Sequence, residues 1–375
     1  MNSEKKKIIY ITVRSDFGGG PYHVDLLISN LKDSFDIYIA APLNKPYGIK
    51  WKAILGETKF FELPFRSFKI GTLLKLRSFI KQNRIEIIHV HGKGAGIYGR
   101  LTKILLPDIF VIYTFHGFHI LNYNPISRIV YIIFERFLSG FTNLFINVSK
   151  GEQDTCLKLK IYRVQKSVII YNAIKNIPNV AIDKSELRNK LNLPADKFIT
   201  SSVARFNMQK NLKASITIAA KLLENHDVIF LIIGDGEERE NIEYLIESNK
   251  LSNVLLTGYK SNVNEYLAAS DIYLSTSLWE GLPYSLIEAS ARGLPIVASD
   301  VTGNNEVVVD GVNGYLFNLN NPDDAVEKIL RIKNSIQEQM TLGENSIKIF
   351  MENFQLDAMI NKMKDTYKSI NINQK

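Results

Sequence analysis

Residues 272–293 read IYLSTSLWEGLPYSLIEASARG. The run Ile272–Ser275 has the length and apolar character of a buried strand. A Gly-Leu-Pro loop follows, and Tyr284–Arg292 carries apolar residues at helical spacing before Gly293. Strand, loop and helix in that order form half of a β-α-β unit, and the pattern recurs on both sides. Strands are expected at Ile199–Ala204, Val228–Ile233, Val254–Thr257 and Ile296–Ala298, with helices at Leu212–Glu224, Arg239–Ser248 and Asn264–Ala269. Upstream of a Pro- and Asn-containing stretch, Asn172–Val180, the alternation runs again. Its strands are Lys7–Val13, Phe35–Ala41, Lys59–Leu63, Ile85–His91, Phe110–Phe115, Leu144–Val148 and Ser167–Tyr171. Helices fit Tyr22–Leu31, Leu73–Gln82, Gly96–Leu105 and Ile126–Leu138. Apolar runs separated by amphipathic stretches predict parallel sheets with helical crossovers. The expectation is two doubly wound α/β domains, residues 1–172 and 173–352, and a final helix over 353–372 that packs back on the first domain.

Composition excludes several classes. A chain of 375 residues with 46% hydrophobic and 22% charged residues is neither disordered nor a coiled coil. Its one cysteine, Cys156, can form neither an internal disulfide nor a Cys-based zinc site, which fits a reducing compartment. The apolar run near the start is too short for a signal peptide, and Ile129–Phe141 is too short to span a bilayer and is broken by Glu135 and Arg136. A cytoplasmic protein is expected. Residues 1–172 hold 25 Lys and Arg against 12 Asp and Glu, whereas residues 173–375 hold 21 against 26. One half is therefore suited to an anionic partner, either nucleic acid or the inner leaflet of a membrane. The aromatic and basic stretch Tyr113–Phe141 could rest on such a leaflet, or could be core.

Ligands of open α/β sheets bind where strands end in loops. Ser15-Asp16-Phe17-Gly18-Gly19-Gly20 could let backbone amides meet an anion, or be a plain turn before Pro21. Ala204–Asn211 places Arg205 and Lys210 beside a helix start, where a diphosphate could be held; a solvated surface pair is the plainer alternative. In Glu280–Glu288, Glu280 lies in the loop and Glu288 two turns down the helix. Glu280 can accept from sugar hydroxyls and Glu288 can grip two ribose hydroxyls, although a capping or solvated glutamate reads the same way in isolation. The pairs His89/His91 and His116/His119 could be drawn as metal ligands but lack carboxylates in a ligand pattern. No Asp-x-Asp occurs, and no metal site is expected.

These segments together carry a resemblance. Glu280–Glu288 resembles the E-x7-E motif of retaining glycosyltransferases of the GT-B fold. Ala204–Asn211 is similar to that family's G-R-x-x-x-x-K-N segment, with Ala204 in place of glycine. Gly18–Gly20, Ile88–His91, Tyr113–Gly117 and Ile170–Ile174 also fit in the family's order, the last with Ala173 where glycine is common. The resemblance spans about residues 7–350, and the stretches His91–Leu101 and Thr114–Phe118 are similar to members that build bacterial capsule, O-antigen or protein-linked glycans.

The resemblance implies two Rossmann-like domains facing across a central cleft, the first binding the acceptor and the second the nucleotide-sugar donor. Gly19 and Gly20 would face the donor diphosphate or the acceptor. Arg205 and Lys210 would hold the diphosphate as it leaves, and Glu288 the ribose. Glu280 with Gly281, Leu282 and Pro283 would bind the donor sugar, with His116 near the reacting centre. Asn172 lies in a matching segment, and Gly258 and Tyr259 are placed near the base. The implied activity is retaining transfer of a hexose or N-acetylhexosamine from a UDP-sugar to a polyprenyl-diphosphate-linked saccharide. No cofactor beyond the donor is required, nucleic acid is not a partner, and the basic first domain would lie peripherally on the inner face of the cell membrane. A nucleotide-sugar 2-epimerase of the same architecture and a non-enzymatic ligand-binding protein are the alternatives.

Overall fold

The computed structural model describes residues 5–120, 123–177 and 183–371. Residues 178–180 of the expected linker and residue 372 of the expected last helix lie outside them. Two compact units result: residues 1–172 with 357–375, and residues 173–356.

The first unit is built on strands β1 (Lys7–Thr12), β2 (Asp36–Ala41), β3 (Phe60–Glu62), β4 (Ile87–His91), β5 (Phe110–Thr114), β6 (Leu144–Asn147) and β7 (Ser167–Ile169). All pair in parallel, in the order β3-β2-β1-β4-β5-β6-β7. Their crossovers are α1 (Gly19–Leu31), α2 (Tyr47–Leu55), α3 (Ile70–Gln82), α4 (Lys93–Leu105), α5 (Pro125–Ser139) and α6 (Lys150–Lys158). Such a sheet is buried on both faces, which is why β1 and β4 read as continuous apolar runs rather than alternating ones.

The second unit begins with α7 (Lys184–Lys190). Its strands β8 (Phe198–Val203), β9 (Val228–Ile233), β10 (Val254–Gly258), β11 (Ile272–Ser275), β12 (Ile296–Ser299) and β13 (Gly314–Phe317) form a parallel sheet ordered β10-β9-β8-β11-β12-β13. The chain switches direction between β8 and β11, the position at which open α/β sheets bind ligands. Helices α8 (Leu212–Lys221), α9 (Arg239–Ser248), α10 (Val263–Ala268), α11 (Tyr284–Ala291), α12 (Asn304–Val307), α13 (Pro322–Lys333) and α14 (Ile336–Asn353) complete it, and α15 (Leu356–Ser369) follows.

Several expectations are corrected. Gly19 and Gly20 lie in the first turn of α1, not in a loop, and Tyr22 N donates to Gly18 O at 3.0 Å as the first helical bond. Pro21 is tolerated because amides in the first turn have no intrahelical acceptor. Glu288 lies one turn into α11, not two. The last helix starts at Leu356 because residues 354–356 pair with Ile174 instead: Ile174 N donates to Phe354 O at 3.1 Å and Leu356 N to Ile174 O at 2.9 Å. Of the stretch Tyr113–Phe141, Tyr113, Phe115 and Phe118 are core, whereas its helical part, Pro125–Ser139, presents exposed apolar residues. The elements α2, α6, α7, β13 and α12 to α14 were not anticipated.

The part of α15 beyond Leu356 belongs to the first unit, into which it buries Met359, Ile360, Met363 and Tyr367. Lys6 Nζ donates to the carbonyls of Tyr367, Lys368 and Ile370 at 3.1, 2.9 and 2.7 Å, satisfying the otherwise open end of the helix. The Tyr367 hydroxyl meets His89 Nδ1 at 2.6 Å, and both residues are fully buried. Tyr367→Phe removes that partner while keeping the ring. We expect it to lower unfolding free energy by about 1–3 kcal/mol in urea titration, the cost of stranding a buried polar atom. An unchanged midpoint would show that the hydroxyl contributes nothing to docking the helix.

Candidate active site

In the second unit the loop after β8 and the loop after β11 lie side by side. Lys210 Nζ donates to Glu280 Oε1 at 2.5 Å, and both side chains are mostly buried. Glu280 Oε1 also accepts from Ser277 Oγ at 2.7 Å, and its Oε2 accepts from Gln209 Nε2 at 3.2 Å. Gln209 Nε2 donates as well to Trp279 O at 2.9 Å, and Leu278 N to Gln209 O at 2.8 Å, so the two loops are stitched along their length. An ammonium has three donors, so the one spent on Glu280 leaves capacity for an incoming anion. Removing either partner of a pair this poorly solvated leaves an uncompensated charge.

Arg205 lies a few residues before Lys210 and pairs with Glu237 at 3.1 Å across more open surface. The turn Gly234-Asp235-Gly236 holds this segment closely. A Cβ at Gly234 would fall 1.9 Å from Ala204 O, and one at Gly236 2.4 Å from Phe206 O. On the other side, Gly303 has φ +87°, and a Cβ there would lie 2.6 Å from Gly281 O. Gly281, Leu282 and Pro283 are buried between Glu280 and α11.

Glu288 retains some exposure as a residue, yet its carboxylate makes no ion pair or hydrogen bond among the described residues. Desolvation pushes its carboxyl up to about 7. Tyr273 beneath it bonds the backbone of Val203 in both directions, each at 3.1 Å, which ties β11 to the end of β8. Gly258 and Tyr259 lie at the end of the edge strand β10. Gly234 N donates to Gly258 O at 3.0 Å, which joins this strand end to the glycine turn beside the Arg205 segment.

The first unit gathers a different chemistry. His91 ends β4, and His116 follows β5 at φ +60°, a conformation unusual for any residue other than glycine. The buried carboxylate of Glu152 holds that turn, accepting from Gly117 N at 2.7 Å and Val148 N at 2.9 Å. His91 Nδ1 meets His116 Nε2 at 3.0 Å. His23 of α1 lies edge-on to His116 with ring centroids 4.9 Å apart, and its Nδ1 meets Asn172 Oδ1 at 3.1 Å. Gly20 lies against His116, so that a Cβ there would sit 3.6 Å from the ring. Gly19 precedes it in the same turn.

Burial drives the histidines toward their neutral forms: His23 down to about 4, and His89, His91 and His116 well below the usual range. A neutral imidazole carries one N–H, so the His91–His116 bond fixes what remains. Of the outer nitrogens, His91 Nε2 and His116 Nδ1, one must donate and the other accept, and neither has a partner among the described residues. That pairing suits hydroxyl groups rather than a formal charge.

The candidates thus fall into two clusters. Gly19, Gly20, His116 and Asn172 join in the first unit; Arg205, Lys210, Glu280, Gly281, Leu282, Pro283 and Glu288 join in the second. Gly258 and Tyr259 lie at the end of β10, beside the Gly234 turn. Sequence reasoning missed His23, Gln209, Ser277, Gly234 and Gly303, and it considered His91 only as one of a possible metal-binding pair and as the end of a matching segment. The Gly-Asp-Gly turn after an apolar strand was the one legible signal among these. Among the described residues no group of three or more His, Cys, Asp or Glu is arranged to hold a metal ion.

Comparison with known proteins agrees with this geometry. A family model described as glycosyl transferases group 1 matches residues 183–349, and one described as glycosyltransferase family 4 matches residues 17–175. The chain is 29% identical over 313 residues, 81% of its length and 80% of the relative's, to a UDP-Gal:alpha-D-GlcNAc-diphosphoundecaprenol alpha-1,3-galactosyltransferase of Escherichia coli. It is 25% identical to the O-antigen biosynthesis glycosyltransferase WbnH of Escherichia coli, covering 87% of this chain and 90% of that one. Its fold is that of Anabaena Alr3699/HepE, solved in complex with UDP and glucose, with a TM-score of 0.85 at 18% identity over 97% of this chain and 100% of that one. With a glycosyltransferase model matching each unit and the fold shared with HepE, the chain is a glycosyltransferase of the GT-B fold whose second unit matches the group 1 model.

Proposed function

We propose that this glycosyltransferase retains anomeric configuration while moving a hexose or N-acetylhexosamine from a UDP-sugar to a saccharide carried on polyprenyl diphosphate, in the synthesis of a bacterial surface glycan. The observation that carries the reading is the Lys210–Glu280 contact, with Arg205 and Glu288 close by in the chain, at the switch point of the second sheet. In the Escherichia coli relative, the printed activity joins a UDP-sugar donor to a diphosphoundecaprenol-linked acceptor, which supports the substrate classes.

The second unit binds the donor. As the bond from the sugar's anomeric carbon to the diphosphate breaks, the electron pair leaves with the phosphate, and Arg205 and Lys210 face the growing negative charge. These two cations can take that charge, so the donor needs no further cofactor. Glu280 and the amides of Gly281 and Leu282 hold the sugar. Glu288 accepts from the ribose hydroxyls, and Gly258 and Tyr259 border the base. In the first unit the outer nitrogens of His91 and His116, beside Gly19, Gly20 and Asn172, offer one donor and one acceptor to sugar hydroxyls. The basic first unit meets the inner leaflet, where the lipid acceptor resides.

Incubation with UDP-, GDP- and ADP-sugars and lipid extracted from bacterial membranes tests this directly. Mass spectrometry should show a lipid product one sugar heavier with a UDP-linked donor. Glu280→Gln and Lys210→Ala should each lower transfer about a hundredfold or more with the fold intact by circular dichroism. Product at normal rate from Glu280→Gln would remove the role given to that carboxylate.

Glu288 yields a separate expectation with a definite sign. Its carboxyl keeps a proton to about pH 7 in the folded protein and loses it near 4.5 when unfolded, so the folded state binds more protons between those values. Stability therefore falls as pH rises through that window and stays lower above it. Glu288→Gln should raise the melting midpoint by about 2–4 °C or more at about pH 8, with little gain toward pH 4.5. The same variant should weaken UDP binding most at high pH, where the wild-type carboxylate is ionised and accepts. Lower stability of Glu288→Gln at about pH 8 would overturn the burial argument, and unchanged UDP affinity would overturn the ribose role.

A further inference from the structure

Helix α5 is inside out. Ile126, Ile129, Val130, Ile133, Phe134 and Phe137 recur at the spacing of one helical stripe, the pattern that normally marks a core-facing side. Here that stripe faces solvent: the six residues are 40–76% exposed. The opposite side turns Tyr131, Ile132, Glu135 and Leu138 inward, with only Glu135 and Leu138 fully buried. Glu135 is the anchor. Its two oxygens accept from Arg100 of α4 at 2.6 and 3.2 Å, with both side chains at most 1% exposed.

The surroundings of the stripe are basic. Between residues 123 and 172 seven Lys and Arg stand against three carboxylates, and two of those three, Glu135 and Glu152, are buried. Arg136 Nε donates to Leu159 O at 2.9 Å, which sets the exposed Lys158, Lys160 and Arg163 beside the end of the helix. No described helix is long and apolar enough to cross a membrane. An apolar stripe bordered by cations matches acyl chains below anionic headgroups. A second copy of the chain would set two such basic borders against each other, so self-pairing through this face is disfavoured by charge.

We infer that α5 is the element by which the protein enters the bilayer interface. The six apolar side chains sink among acyl chains, and Arg136, Lys158, Lys160 and Arg163 meet anionic headgroups. The helix lies in the membrane plane, held to the protein by Glu135. This deepens the lipid-linked acceptor reading above and rests on it for its biological setting, although the surface itself is argued from α5 alone.

The test is flotation of the full chain with vesicles of phosphatidylethanolamine containing about a third phosphatidylglycerol, against vesicles of phosphatidylcholine alone. Binding is expected to the first and to be much weaker to the second, and to fall as salt is raised. The double variant Ile133→Ser, Phe137→Ser should bind the anionic vesicles at least about tenfold more weakly. Both side chains are exposed, so its melting midpoint and its transfer to an acceptor in detergent should match the wild type. Wild-type protein that ignores anionic vesicles, or a variant that binds them as well as the wild type, overturns the inference. So does self-association that the double variant abolishes in the absence of vesicle binding, which would give the stripe to a second copy. Vesicle binding lost in the variant, with no sugar transfer from any donor, would uphold the surface and defeat the proposed function. Transfer in detergent without vesicle binding would do the reverse.

Discussion

A parallel strand leaves its sheet at the carboxyl end and must be carried back by a crossover before the next strand can begin, so all loops that enter helices emerge along one rim of the sheet. Both units obey this constraint, and their polar clusters depend on it. His91 ends β4, and His116 is two residues past β5. Arg205 is two residues past β8, and Ser277 and Glu280 lie within five residues of the end of β11. Because β8 and β11 are neighbours in the second sheet although two strands intervene in sequence, Lys210 and Glu280 become adjacent across seventy residues of chain. An ion pair of mostly buried groups depends on that rigidity, since either charge left without the other would cost stability.

The two rims carry opposite chemistry. Burial drives the histidines of the first unit toward their uncharged forms, and the His91–His116 bond leaves one donor and one acceptor, both buried and without a partner among the described residues. The second unit keeps Arg205, Lys210, Glu280 and Glu288, of which three are held in pairs and Glu288 is held partly protonated by desolvation. Neutral donors and acceptors fit polyhydroxyl groups, whereas paired cations fit a phosphate whose charge grows in the reaction. The carboxylate that holds Lys210 also limits how far its ammonium wanders.

Much of this was legible in the sequence because parallel strands are buried on both faces and are written as plain apolar runs. Every strand through β12 was found this way, while β13, only four residues long and containing Gly314 and Tyr315, was not. The helices α2, α6 and α12 escaped because each buries only two residues, whereas α13, with Ala325, Ile329 and Ile332 buried at helical spacing, was legible but not named. At the site, charged residues in strand-end loops could be named, and the glycine loop was found but placed outside the helix it begins. Gln209 and Ser277 could not be named. A glutamine and a serine carry no signal until two loops distant in sequence are set side by side. Glu288 was read as a ribose ligand, but its perturbed carboxyl comes from burial, which spacing does not report.

The stripe on α5 shows where periodicity stops being informative. Apolar residues at i, i+3, i+4 and i+7 state that one face of a helix is apolar; they do not state what that face meets. Burying each such side chain would stabilise the protein by about 1.5–3 kcal/mol, so in water alone the helix should turn over and put its stripe on the sheet. Glu135 opposes this, together with Tyr131, Ile132 and Leu138, whose packing against the sheet the turn would give up. Rotating the helix would pull its carboxylate from Arg100 and leave that guanidinium, now fully enclosed, without a counter-charge, at a cost of about 3–5 kcal/mol. A buried ion pair adds little to stability compared with a well-packed apolar pair, but it does fix orientation. Here it keeps the apolar face turned outward, an arrangement that is costly in water and becomes favourable at an acyl surface.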